Sequence, residues 1–543
     1  MQQLRDRALL DGQHAVQQIH EDLSLDSLVY AGGVGLIKGK KCLDGTRTDI
    51  LNEVVDWINN TDPAAPRIFW LHGQAGKGKS AIAHTIALQA QNLGVLGSCF
   101  CFTRVRQHEG LHRKLFPTIA RDLADRDLRL RPLLAEVITH NRSLRDTPDV
   151  VQQWEKFIVG PLSRLECSSI GNVVVVIDAL DESGVEAMRG PLLEALTATD
   201  GTFPGNLRIL LTSRPLADIA EALNGTFHVH VRSLDDIETE SAVGDICRYI
   251  SFRLTRLSDT FSDENLQQLA EKSGGVFEWA RLACDFISQR VRAVAKKRLT
   301  EILSHAPGDG RTLLDEMYST FLKELAEGTP DFLPTFRSVM RQILWLKEPL
   351  SISALDFIRD KFPHEEDRYP VGDILTLMAS LLSGTHESST PVRPLHASFY
   401  DFLLDEKRSR RFFIQQANVH CDLTIALLSV MQTGLHFNIC GLETSYVLNS
   451  EVADLDKRVK ENIPPHLLYA CLFWAIHLQG VGFDKGLAES VRKLVTGEQV
   501  LFWLEILGVS KLIWEACVVL TSAERWFQVR LLYHGMYDMQ IPF

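Results

Sequence analysis

One octapeptide constrains this chain more than any other feature: Gly73-Gln74-Ala75-Gly76-Lys77-Gly78-Lys79-Ser80. A glycine, four residues and then Gly-Lys-Ser is the spacing of a phosphate-binding P-loop. Glycines let backbone amides turn inward around phosphate oxygens. A helix beginning near Ser80 points its positive end at the same anion. Lys79 can bridge the β- and γ-phosphates, and Ser80 can supply an oxygen ligand to Mg2+. Lys77 lies inside the loop, although the motif does not demand a lysine there. The flanks agree: Ile68-Phe69-Trp70-Leu71 reads as a short buried strand ending at Gly73, and the apolar stripe predicts a helix over 80–91.

The second element follows the most apolar strand in the chain. Val173-Val174-Val175-Val176-Ile177 ends at Asp178, followed by Ala179-Leu180-Asp181-Glu182. Such a strand delivers Asp178 to the carboxyl edge of a sheet, where ligands bind. Asp178 can hold Mg2+, directly or through water. Asp181 and Glu182 are both candidates to polarise an attacking water; we assign Glu182 as the base and Asp181 as support on the metal side. The third element, Arg208-Ile209-Leu210-Leu211-Thr212-Ser213-Arg214-Pro215, is a strand ending in two hydroxyls and an arginine. Arg214 is expected near the γ-phosphate, able to report hydrolysis by losing a partner, with action across an oligomer interface as the alternative. Nucleotide binding thus falls to Gly73, Gln74, Ala75, Gly76, Lys77, Gly78, Lys79 and Ser80. The metal falls to Ser80 and Asp178, and catalysis to Lys79, Asp181, Glu182 and Arg214.

Short apolar strands separated by long crossovers predict an α/β fold, a parallel sheet covered by helices. The strands are expected over 68–71, 97–102, 173–177, 208–212 and 228–231. The roughly 70-residue connection before the third must contain several helices. Beyond about residue 232 the strand signals fade. Helices are expected over 237–252, 266–272 and 277–297, and the Lys296-Lys297-Arg298 run reads as a solvated helix end. Pro307 to Gly310 reads as a linker. A hairpin is expected where Leu381-Leu382 and Val392-Arg393-Pro394-Leu395 flank a Ser/Thr/Gly-rich break. The resulting organisation is a helical lead-in (1–64), a P-loop core (65–232), a helical domain (233–310), a winged-helix-like domain (311–405) and a C-terminal helical domain (406–543), without a solenoid repeat.

The chain has 543 residues, 45% hydrophobic and 23% charged, which excludes a mainly disordered chain. The net charge of −12 argues against nucleic acid as the main partner. Ten scattered cysteines, including Cys99 and Cys101 in one alternating strand, suggest neither a disulfide framework nor a zinc cluster. Residues 1–20 lack the apolar core of a secretory signal, and no run of about 18 uncharged apolar residues predicts a membrane span. A cytoplasmic protein in a reducing compartment is expected. A transporter engine lacks its Leu-Ser-Gly-Gly-Gln signature, a helicase lacks partner motifs, and a small-molecule kinase fits poorly with the acidic pair and long helical tail.

The three elements in this order resemble the NACHT branch of the STAND NTPases, signal-transduction ATPases or GTPases. Asp178 to Glu182 and Thr212-Ser213-Arg214-Pro215 are especially similar to fungal members, of the vegetative-incompatibility and nephrocystin-3-like N-terminal types. Cys42-Leu43-Asp44-Gly45-Thr46-Arg47 resembles the segment those proteins carry before the core. Gly275-Val276-Phe277 stands where relatives have a glycine-containing motif near the adenine, although the proline frequent there is absent. Leu395 to Leu403 resembles the winged-helix signature, whose histidine in relatives contacts the β-phosphate of ADP, which would make His396 an inter-domain latch. The usual C-terminal repeats do not follow.

The resemblance implies a nucleotide-controlled switch: ATP (GTP as the alternative base) with Mg2+ is bound and slowly hydrolysed. In the ADP state His396 holds the winged helix, and exchange exposes an oligomerising face. The partners implied are nucleotide, a protein and a nucleotide-dependent homo-oligomer, without nucleic acid. The competing reading is a non-catalytic scaffold for a protein partner, with nucleotide as a structural ligand.

Overall fold

The computed structural model describes residues 17–104, 110–141, 143–144, 147–165, 172–198, 203–288, 292–304, 312–416, 418–444 and 446–534. Most of the N-terminal segment read for a signal, and the linker at Pro307 to Gly310, lie outside them. The chain divides into two compact units, Met1–Ala306 and Pro307–Phe543.

The first unit is built on five strands: β1 (Ile68–His72), β2 (Leu96–Cys101), β3 (Val173–Asp178), β4 (Leu207–Ser213) and β5 (Val229–Ser233). They form one parallel sheet in the order β2-β3-β4-β1-β5. Strands β1 to β4 are buried almost throughout because both faces are covered, whereas the edge strand β5 carries His230 and Arg232 and is only partly buried. Val173, Val175 and Ile177 of β3 enter one core with Trp70, Phe100, Ile209 and Leu211. Val174 and Val176 enter the other with Phe69, Leu71, Cys99, Cys101 and Leu210. Alternate residues pointing to opposite faces produce this division. The second face is covered by α1 (Thr48–Asn59) and α2 (Lys79–Asn92); the first by helices including α3 (Leu111–Arg126), α4 (Leu130–His140) and α5 (Glu186–Thr197). The long connection between β2 and β3 is therefore helical, as its length required.

After β5 come α6 (Thr239–Arg253), α7 (Asp263–Lys272), α8 (Phe277–Ser288) and α9 (Arg292–Ser304). Two sequence expectations change here. The single helix expected over 277–297 is two helices. The Lys296-Lys297-Arg298 run lies inside α9 rather than at its end; Lys296 and Lys297 are exposed, as expected, but Arg298 is buried, bonded to the Phe286 carbonyl with its guanidinium 4.6 Å from the Phe286 ring centroid. An arginine stem packs on apolar surface while its head finds a carbonyl, which charge counting does not reveal.

Among its described residues the second unit is mainly helical, with an antiparallel pair, Leu382–Ser383 with Arg393–Pro394, where a hairpin was expected, and an isolated bridge between Ser351 and Pro391. The pair leads into α10 (Ala397–Leu404), whose Phe399 and Phe402 are buried against Tyr318. Helix α11 (Pro465–Leu478) is buried on most sides, with Tyr469, Trp474 and His477 among its core residues.

Candidate nucleotide site

The P-loop leaves β1 through Gly73, whose φ of +153° is strained for side chains, and a Cβ there would lie 3.1 Å from the Leu234 Cβ. Gly78, at φ +94°, caps α2 in the left-handed region, so glycine fits both turns. Lys79 and Ser80 open α2, placing their amides in its first turn. Lys79 Nζ donates to the carbonyls of Gly73 and Gln74 at 2.6 and 2.8 Å. Burial pulls its pKa below the ordinary lysine value, while the charges of Asp181 and Asp178 act in the opposite direction.

The outside of the loop is braced from three directions. The Gln74 N–H donates to both oxygens of Asp235, just beyond β5, at 3.1 and 3.3 Å. Lys77 Nζ lies 3.9 Å from Asp235 Oδ1 and donates to the Gly274 carbonyl at 3.5 Å. The Glu278 N–H donates to the Gly76 carbonyl at 3.2 Å. Gly275 to Phe277 therefore lies against the loop. On the third side, Arg47 Nη2 donates to the Lys77 carbonyl at 3.0 Å, and its guanidinium sits 4.8 Å from the Phe277 ring centroid. The Arg47 backbone N–H donates to Asp245 of α6. Burial lowers the Arg47 pKa, opposed by the Asp245 charge.

The acidic arm meets this loop because β4 stands between β3 and β1. All strands run the same way, so the carboxyl ends share one edge. Thr212 pairs in register with Leu71, and Ser213 with His72. Thr212 Oγ1 donates to Asp178 Oδ1 at 2.5 Å and accepts from the Ala179 N–H at 3.0 Å. Ala179 adopts φ +60°, which turns the chain sharply into the single helical turn Leu180–Glu182. There Asp181 receives Arg214 Nε at 2.6 Å and the Arg214 N–H at 3.0 Å. Glu182 accepts the Arg104 N–H at 3.1 Å. Burial, with help from the Asp181 charge, pushes the Glu182 pKa up to about 7.

This edge offers a lysine, a helix N-terminus and a set of carboxylates, the complement that a phosphate chain with a divalent cation requires. Asp178, 4% exposed, accepts from Thr212 through one oxygen; its carboxylate and the Ser80 hydroxyl are hard-oxygen donors of the kind that Mg2+ takes. His396 lies in the second unit, where its Nδ1 caps α10 by accepting from the Ser398 N–H at 3.3 Å. Three contributors were not assigned from sequence: Thr212 as holder of Asp178, Arg104, and Asp235. Thr212 was visible as a hydroxyl closing an apolar strand; Arg104 and Asp235 carry no local signal.

Fold and site together define an α/β fold of the P-loop NTPase type, a parallel five-stranded sheet covered by helices and followed by helical domains. A family model described as Nephrocystin 3, N-terminal, matches residues 45–214, the stretch from before α1 to Arg214. No curated protein matches the chain. Solved structures similar to it include Drosophila ORC bound to DNA, at 13% identity and a TM-score of 0.32, covering 72% of this chain and 92% of that one. They also include the Aeropyrum pernix ORC1 protein in complex with DNA, at 14% identity and a TM-score of 0.27, covering 69% and 93%. The expected partner set, which excluded nucleic acid, is corrected by these neighbours, both described with DNA. Net charge sums over the whole surface and is silent about a local basic patch, so it could not support that exclusion. Among the described residues no helix is long and apolar enough to cross a membrane.

Proposed function

We propose that the chain binds ATP with Mg2+ over Gly73–Ser80 and hydrolyses it slowly, as a nucleotide-controlled signalling switch of the NACHT type. The observation that carries this reading is the convergence of Lys79, Asp178 and the Asp181–Arg214 pair on one sheet edge. Lys79 exchanges the Gly73 and Gln74 carbonyls for phosphate oxygens. Ser80 and Asp178 hold Mg2+, which supplies charge neutralisation at the phosphates. Glu182 orients water and takes its proton; a pKa of about 7 suits a base that works near neutral pH. Asp181 keeps Arg214 aimed at the edge, so the arginine feels the loss of a phosphate charge. GTP as the alternative base, and an incompatibility- or innate-immunity-like setting, come from the resemblance alone.

Calorimetric titration of the full chain with ATP, ADP and GTP, joined to single-turnover phosphate release, tests this. Tight Mg2+-dependent binding with slow release supports it. Absence of nucleotide binding overturns it, and binding without release makes the nucleotide a structural ligand.

A further inference from the structure

The sheet face under α2 carries a cluster that the nucleotide reading does not use. Cys99 and Cys101 are alternate residues of β2 and share a side of the strand. His84 lies on α2, one helical turn beyond Ser80. The ligand atoms of His84, Cys99 and Cys101 all lie within 4.8 Å of one another, and the three residues are 1%, 8% and 6% exposed. Cys101 Sγ is 3.8 Å from His84 Nε2 and 3.8 Å from the Gly35 carbonyl oxygen. The cysteine spacing read from sequence as no zinc cluster therefore gains a third donor from a different element.

Both thiols are free. Alternate positions on one strand place the two Cα atoms roughly 6.6 Å apart, at the far end of the roughly 4.4–6.8 Å that a disulfide tolerates. A metal spans the thiols with less distortion. Tetrahedral donors at ~2.3 Å (sulfur) and ~2.0 Å (nitrogen) from zinc sit roughly 3.5–3.8 Å from one another. Closing the trio needs movement of about 1 Å at most. Residues 33–37 form a strap beside the cluster, with the Gly35 carbonyl at Cys101 and the Ile37 N–H at His84, and a cavity of about 360 Å³, lined in part by Gly33, Gly35, Ile37 and Cys99, gives an approach from that side.

We propose that His84, Cys99 and Cys101 bind one thiophilic closed-shell cation, Zn2+ or Cu+, tying β2 to the helix that carries Lys79 and Ser80. Two thiolates and an imidazole are the soft donor set that such ions take. Cu+ is satisfied by three donors; Zn2+ adds the Gly35 carbonyl or a water from the cavity. Each thiol gives up its proton, so two protons leave per ion and no electron is transferred. His84 stays neutral but changes tautomer. The Ile37 N–H donates to Nδ1 at 3.3 Å, which places the ring proton on Nε2. Coordination through Nε2 moves that proton to Nδ1 and breaks the Ile37 hydrogen bond, so loading is sensed by the strap.

The test uses the reduced, untagged, chelator-stripped full chain, titrated with Zn2+ alone and, separately and anaerobically, with Cu+ alone against chromophoric chelators. Expected are one equivalent of one of these ions, two protons released per ion, and faster amide exchange at Ile37. The arm with the tighter binding identifies the metal. Co2+ loading of the unmodified chain should give a thiolate-to-metal charge-transfer band, a readout that needs no variant. Cys99→Ala and Cys101→Ala should each weaken binding by about 100-fold or more, while Cys517→Ala, at an exposed cysteine, leaves it unchanged. Substoichiometric binding of both ions, a Co2+ spectrum without sulfur ligation, or folded cysteine variants that bind like the parent would overturn the site. None of these readouts depends on nucleotide.

Discussion

Arg214 and Asp181 form a two-point contact: Nε donates to Oδ2 at 2.6 Å, and the Arg214 backbone N–H donates to Oδ1 at 3.0 Å. Both charge and chain direction are thereby held at the end of β4. The Asp181 side chain is almost wholly buried, while that of Arg214 is about a quarter exposed.

Arg214→Ala is expected to slow phosphate release more than it weakens nucleotide binding, because the arginine is aimed at the edge rather than at the loop. Leaving Asp181 half-satisfied costs about 1–3 kcal/mol, below the cost of breaking a fully buried pair because the arginine is partly in water. Urea unfolding and single-turnover kinetics on the same preparation separate the two effects.

Lys79→Ala removes the side chain that bonds the Gly73 and Gln74 carbonyls. ATP affinity should fall by about 100-fold or more, or ~2.7 kcal/mol. The thermal midpoint without nucleotide should change little, since a buried lysine is no stabiliser of its own site. Affinity equal to the parent would remove the nucleotide reading.

Glu182 has its pKa raised from 4.5 to about 7. Hydrolysis should rise with pH through a midpoint near 7, and Glu182→Gln should flatten that profile and lower the rate by ~10²–10⁴-fold. The stability effect has the opposite sign. The folded state holds this proton more tightly than the unfolded chain, so the contribution of Glu182 to stability falls as pH rises from 4.5 to about 7. Glu182→Gln should remove that slope in unfolding midpoints taken across the same window.

Thr212→Val keeps the shape and deletes the hydroxyl that joins Asp178 Oδ1 to the Ala179 N–H. Two buried groups lose a partner, at about 1–3 kcal/mol, and Asp178 is no longer held in one orientation. The concentration of Mg2+ needed for half-maximal ATP binding should increase, read by titration at fixed nucleotide.

Much of the fold was legible where chemistry is local. Val173 to Ile177 could only be a strand buried on both faces, and β3 is one. Gly73 to Ser80 implied a strand, a turn and a helix N-terminus, which β1 and α2 provide. Arg298 was misread because a basic run says nothing about whether its aliphatic stem meets an aromatic ring such as Phe286. The exclusion of nucleic acid failed for a related reason, since a sum of charges has no spatial pattern.

By itself the amino-acid order determined the phosphate loop, the apolar strands and the acidic turn after Asp178, because each is written in contiguous residues whose spacing matches one backbone geometry. Only the tertiary structure decided that Asp235 braces Gln74 from 161 positions away, that Thr212 holds Asp178 from 34, and that His84 faces Cys101 from 17. Those meetings follow from the strand order, with β4 inserted between β1 and β3 and α2 laid over β2. Strand order is set by how helices of several segments pack on both faces at once, a non-local balance of burial that leaves no periodic mark in the chain.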